Sequence, residues 1–168
     1  MRWGGFLCVV AALSSANALR SCVTRDEDLV AQPIAFDHAR HTEEGLACLD
    51  CHARAQSSPY AGVPLVKACM LCHAEPQGEN PEEPKVREYA ERGEPIPWVR
   101  VNRLPGHVYF SHEAHVRWGE MECAECHGDV ASSTQPLVRS QIEHLTMERC
   151  MSCHSEQGAS NDCLACHK

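Results

Sequence analysis

The pattern C-x-x-C-H occurs five times in this chain, at residues 48–52, 69–73, 123–127, 150–154 and 163–167. Each copy reads as a covalent c-type haem site. The thiols of Cys48 and Cys51, Cys69 and Cys72, Cys123 and Cys126, Cys150 and Cys153, and Cys163 and Cys166 add across the two vinyl groups of a haem. The adjoining His52, His73, His127, His154 and His167 are carried beneath the iron as its fifth ligand. A single C-x-x-C suits half a zinc site or a redox disulfide equally well. Ten of twelve cysteines in one spacing, each followed by a histidine that zinc does not need, favour five covalently bound haem c groups.

Covalent haem of this type is attached outside the cytoplasm, and the N-terminus fits export. Arg2 precedes an apolar run from Phe6 to Leu13, and Ala16-Asn17-Ala18 forms a small-residue cleavage signal. That run is too short to span a bilayer. The expected signal peptide is residues 1–18. Alternatively it is residues 1–21, because Leu19-Arg20-Ser21-Cys22 resembles a lipobox that would leave Cys22 as a lipidated N-terminus.

About 150 residues then serve five haems, roughly 30 each, so porphyrin rather than side chains must supply much of the interior. With few aromatic residues and ten each of Pro and Gly, the expected fold is mostly irregular with short α-helices. The formal charge of −8 argues against nucleic acid as a partner and suits a basic redox protein or a docking face.

An internal repeat divides the chain. Phe36-Asp37-His38-Ala39-Arg40-His41 precedes the first motif and Phe110-Ser111-His112-Glu113-Ala114-His115 the third. Both read F-x-H-x-x-H, and both place a glycine, Gly45 or Gly119, four residues after the second His. Two modules follow: residues 33–73 with two haems and residues 107–168 with three, separated by a haem-free segment, 74–106. Histidines three apart on a helical turn project about 60° apart with about 4.5 Å of rise, so the pair can ligate two different irons. His38, His41, His112 and His115 are thus candidate distal ligands for four irons. The fifth iron takes His107, His144, a Met, or stays open.

The haem-free segment is acidic and proline-rich at 76–84, able to form a polar helical turn or more over 82–92, and extended from 95 to 104. It reads as an inter-module linker or as a surface that grips a partner, with Trp98 as anchor and Arg100 and Arg103 pairing with propionates or partner carboxylates.

These features resemble the cytochrome c7/c3-like multihaem group, in which F-x-H-x-x-H supplies distal ligands. The stretch from Gly93 to Pro105, Val108-Tyr109-Phe110-Ser111-His112, and Leu145-Thr146-Met147 ahead of the fourth motif are more closely similar to the pentahaem subunit of alternative complex III and of related quinone reductase complexes. The resemblance implies two c7/c3-like modules around a haem-dominated core. It implies Met147 as the fifth distal ligand, with His38 and His112 serving the first and third haems and His41 and His115 reaching others. It also implies a periplasmic subunit at the inner membrane, partnered by the other subunits of a quinol-oxidising complex and by a downstream acceptor protein. No membrane helix is read here, so attachment is expected through those partners or a lipid on Cys22.

Two function classes remain. An electron-transfer protein, in a complex or as a freestanding periplasmic shuttle, needs every iron six-coordinate. A small multihaem reductase needs one open iron beside polar groups. Ten nameable axial ligands for five irons favour transfer, with no catalytic residue in this chain.

Overall fold

The computed structural model describes residues 29–142 and 145–167. The expected signal peptide, Cys22 and His144 lie outside the described residues. Within those residues seven short helices carry the chain: α1 (His38–Glu43), α2 (Cys48–Cys51), α3 (Val66–His73), α4 (Glu83–Arg92), α5 (Cys123–His127), α6 (Met147–Glu156) and α7 (Cys163–Cys166). They are joined by 3-10 turns at Ala53–Gln56 and Val130–Ser132, a π-helical turn at Ala114–Trp118, and extended loops. Among the described residues there is no strand. One isolated antiparallel bridge, Val108 to His167, folds the C-terminus back onto the start of the second module. No helix among the described residues is long and apolar enough to cross a membrane.

Helix α1 starts because Asp37 caps it, its Oδ1 accepting the Arg40 amide at 2.9 Å. It stops because Gly45, at φ +87°, turns left-handed and lets the Leu46 amide reach back to the His41 carbonyl at 3.1 Å. The repeat does this differently in the second module. There one more residue separates the second His from its motif, and the extra length is taken up as a π-helical turn in which the Gly119 amide bonds the Ala114 carbonyl at 3.0 Å. The left-handed residue is now Glu120, at φ 52°. Gly119 is required for closeness instead: a Cβ there would sit 2.8 Å from the His115 carbonyl oxygen.

Among the described residues, conventional packing gathers in one cluster. Ile34, Val86 and Ile96 are buried together, with Val66, Cys69, Met70, Tyr89 and Trp98 packed around them. Each buried aliphatic chain there contributes on the order of 1.5–3 kcal/mol. Segment 74–106 is therefore largely integrated into the first module: α4 lies along α3 and Ile96 completes the cluster. Trp98 packs against the cluster, half-buried, and meets the Phe36 ring edge-on at 6.1 Å. Arg100 lies 5.8 Å over the Tyr60 ring, and the Arg103 Nε donates to the Arg100 carbonyl at 3.3 Å.

The two modules hold each other reciprocally. The Ala39 amide of α1 bonds Ser133 O at 3.0 Å and Thr42 Oγ1 donates to Ala131 O at 3.0 Å, both just beyond the third motif. In return, the amides of His112 and Glu113 bond Pro59 O and Ser58 O, each at 3.2 Å, just beyond the first. Gln32 adds a staple, its amide donating to Val99 O at 2.9 Å and Leu137 O at 2.8 Å.

Candidate haem-binding site

The F-x-H-x-x-H element is one rigid device made twice. Phe36 stacks on His41 (4.4 Å between centroids) and meets His38 edge-on (4.8 Å). Phe110 does the same with His115 (4.6 Å) and His112 (4.9 Å). The phenyl ring is thus wedged between two imidazoles and fixes their divergence. Ser111 repeats the cap of Asp37, accepting the Ala114 amide at 3.3 Å. The same turn residue orients the second His: Nδ1 of His41 bonds Asp37 O, and Nδ1 of His115 bonds Ser111 O, both at 2.7 Å.

That bond decides the tautomer. A carbonyl oxygen only accepts, so Nδ1 must carry the proton and Nε2 keeps its lone pair for a metal. The pattern recurs at His52 with Gly62 O (2.8 Å), His112 with Pro59 O (3.0 Å) and His154 with Ser160 O (2.7 Å). His73 instead bonds a carboxylate, Glu83 Oε1, at 3.0 Å.

The histidines face one another in pairs. Centroids are 6.1 Å apart for His41 and His73, 6.4 Å for His112 and His127, 6.1 Å for His115 and His154, and 5.6 Å for His107 and His167. Imidazole–metal bonds of about 2 Å, with each ring centre about 1 Å further out, separate two rings across one metal by about 6 Å. The gaps are therefore the width that a single bridged iron requires. His38 lies near His52: burial lowers its pKa first, and His52 lowers it further. Its Nδ1 is buried without a hydrogen-bond partner.

The ten motif cysteines are free thiols, and their neighbours reveal an order. Burial raises Cys69, with Cys51 adding to the shift. Burial raises Cys123, which lies beside Cys48 and hydrogen-bonds it. Burial likewise raises Cys126 next to Cys153, and Cys150 next to Cys166. His127 is lowered by burial, then by His112 and by His52. The histidine geometry gives the order second, first, third, fourth, fifth: His41, facing His73, shares α1 with His38; His112 bonds Pro59 beyond the first motif; His112 and His115 face His127 and His154; and the fifth motif closely follows the fourth in the chain.

The chain fits covalent haem. Imidazoles stand apart at iron-spanning distances, exposed or half-buried thiols lie beside them, and large apolar side chains such as Leu71 and Leu164 (each 85 % exposed) have no protein to cover them. Among the described residues no three His, Cys, Asp or Glu side chains converge, as a zinc site built from protein donors alone needs.

Of the sequence candidates, His73, His127, His154, His167, His41, His112 and His115 are drawn into these pairs, and His38 lies near His52. Met147 is not: it opens α6 with its side chain exposed, the ring opposite His154 is that of His115, and the ring opposite His167 is that of His107. His107 could be named from the sequence only as one option among several. Asp37, Ser111, Phe36 and Phe110 were legible as parts of a repeat but not as the cap and the wedge. Glu83 carried no signal, sitting in a run of charges.

Residues 15–95 match the class III cytochrome C family, and residues 108–168 match cytochrome c7 and related cytochrome c. Those assignments and the paired histidines define an electron-transfer protein of covalent haem, with short helices around its cofactors. Over 161 residues the chain is 32% identical to the menaquinone reductase, multiheme cytochrome c subunit, of Nitratidesulfovibrio vulgaris, covering 82% of this chain and 77% of that protein. The chain belongs to this multihaem cytochrome c family.

Proposed function

We propose that this chain is a periplasmic pentahaem electron relay, the multihaem subunit of a membrane complex that exchanges electrons with a quinone. The observation that carries the proposal is the set of facing imidazoles, which gives four of the five motif histidines an opposing histidine, with His38 near the fifth, His52. Bound haem iron supplies reversible one-electron chemistry. The chain's own residues supply the rest: two imidazoles per iron, a fixed tautomer where Nδ1 is held, and thiols ordered in one row. With both axial positions taken by histidine, no iron is left open for substrate, which favours relay over a small reductase. The ligand set proposed is His38 with His52, His41 with His73, His112 with His127, His115 with His154, and His107 with His167, with His107 in place of Met147.

The relative is by name a subunit of a menaquinone reductase, which favours a partner complex that works on menaquinone. The same likeness supports delivery of electrons to the quinone rather than quinol oxidation of the alternative complex III kind. The export segment at 1–18 and a lipid on Cys22 are proposed as the route to the periplasmic face of the membrane.

Intact mass and low-temperature EPR with near-infrared magnetic circular dichroism on the haem-loaded protein test this directly. Five haems, all low-spin bis-His, are expected. A His/Met signal would return Met147 to the ligand set. A high-spin iron that binds small ligands would turn the reading toward a reductase, and a soluble protein that reduces a carrier without any membrane subunit would make it a freestanding shuttle.

A further inference from the structure

Of the six described histidines whose Nδ1 is held, five bond neutral backbone carbonyls. His73 alone among them bonds a carboxylate, Glu83 Oε1, at 3.0 Å. This is not a solvated surface pair. The Glu83 side chain is 8 % exposed, and the same oxygen accepts the Gln77 amide at 2.9 Å and Arg87 Nη1 at 3.0 Å. Helix α4 delivers Glu83 from its first turn against the last residue of α3, and the Ile34–Val86–Ile96 cluster locks the two helices together.

A carboxylate that accepts the ligand's N–H draws the proton toward itself and makes the imidazole a stronger donor to the metal. A stronger donor favours the oxidised over the reduced iron and lowers the midpoint potential. The buried negative charge acts in the same direction. Arg87 opposes it, its Nη1 donating to the carboxylate at 3.0 Å and to the His73 carbonyl at 3.4 Å but not to the ring. The carboxylate itself bonds the ring, so its influence wins.

Position gives the effect its use. The second motif stands at one end of the row, next to the first, because His41, which faces His73, shares α1 with His38. There the distal His38 has a buried Nδ1 with no acceptor, the opposite environment to that of His73. We propose that Glu83 is a positioning residue that holds the iron carried by His73 at the lowest midpoint potential of the row. That end thus keeps an electron least and passes it inward. The proposal rests on the five-haem reading above.

The test is a redox titration of the haem-loaded protein followed optically and by EPR. In Glu83→Gln the lowest of the five midpoints is expected to rise, with one bis-His EPR signal changed and four steps unmoved. His41→Met, which alters the ligand facing His73, must move the same step and so assigns it. Arg87→Met supplies the opposite sign: with its counter-charge removed, the same midpoint should fall, whereas general loosening of α4 against α3 would move it as Glu83→Gln does. If Glu83→Gln fails to retain its haems, the sign of the Arg87→Met shift decides. An unmoved lowest midpoint in an otherwise intact Glu83→Gln protein overturns the proposal, as does a rise in Arg87→Met. Fewer than five haems by mass, or a wild-type His73 iron that is not bis-His, would instead overturn the reading on which it rests.

Discussion

Residues 29–106 and residues 107–167 carry the same Phe-His-His device, yet they are finished differently. In the first part a ten-residue helix, α4, closes over α3 and brings with it the apolar cluster and a buried carboxylate. In the second part no described residue is buried, and Trp118 is 70 % exposed. What stands there instead is a tail folded back through the Val108 to His167 bridge, presenting His107 to His167. The contrast teaches that a motif fixes where a haem is tied and leaves open what covers it. Protein packs behind the histidine of the second motif, whereas in the second part nothing of the described chain is buried.

The sharpest way to break the contrast is at the far end. His107→Ala should convert one low-spin bis-His iron to a high-spin or water-bound one, whereas Met147→Leu should leave all five spectra unchanged; EPR spin counting separates the two. Next come the tryptophans. Removing Trp98, packed on the cluster, is expected to cost about 2–3 kcal/mol, and removing Trp118 less than about 0.5 kcal/mol, read from denaturant midpoints of the holoprotein. The turns should differ in sign. Gly45→Ala forces a side chain into φ +87° and should cost about 1 kcal/mol, while Glu120→Gly relieves a strained φ of 52° and should gain about 1 kcal/mol, both measured by thermal melts.

The smallest effect concerns pH. The Glu82 carboxylate accepts from Lys85 Nζ at 2.6 Å and from the Ala35 amide at 2.8 Å, and these bonds, Lys85 first, hold its pKa below the ordinary carboxylate value. A lowered folded pKa means that the tether is fully present above the ordinary range and is lost as pH falls through and below it. Protection of the Ala35 amide against hydrogen exchange should fall accordingly, and Glu82→Gln should remove that dependence.

Much of this architecture is legible in the order of the amino acids. Five identical motifs mark ten thiols and five histidines for haem, and the repeated Phe-x-His-x-x-His marks a helical turn with two diverging imidazoles. The helix at 83–92 is foreshadowed by its charged, proline-started sequence. His107 is not decidable in that way, because its partner is distant in the chain and meets it only when the tail folds back. Trp98 reads as an anchor for a partner because an aromatic among arginines carries no mark of which way it faces. Glu83 looks like one more solvated acid, since burial depends on how α4 lies on α3. The spatial order of the motifs is likewise invisible: it depends on loops that cross between the modules.

The crossing has a consequence for how the molecule comes into being. His112 and Glu113 lean on Pro59 and Ser58, and Ala39 leans on Ser133, so neither part supplies all the backbone acceptors for its own distal helix. On the export route proposed above, a chain entering from its N-terminus would hold α1 short of this acceptor until Ser133 had followed. Maturation would then be a single interlocking closure rather than two successive ones, and a gene severed between residues 74 and 106 would yield two fragments that complete each other's backbone bonds only together.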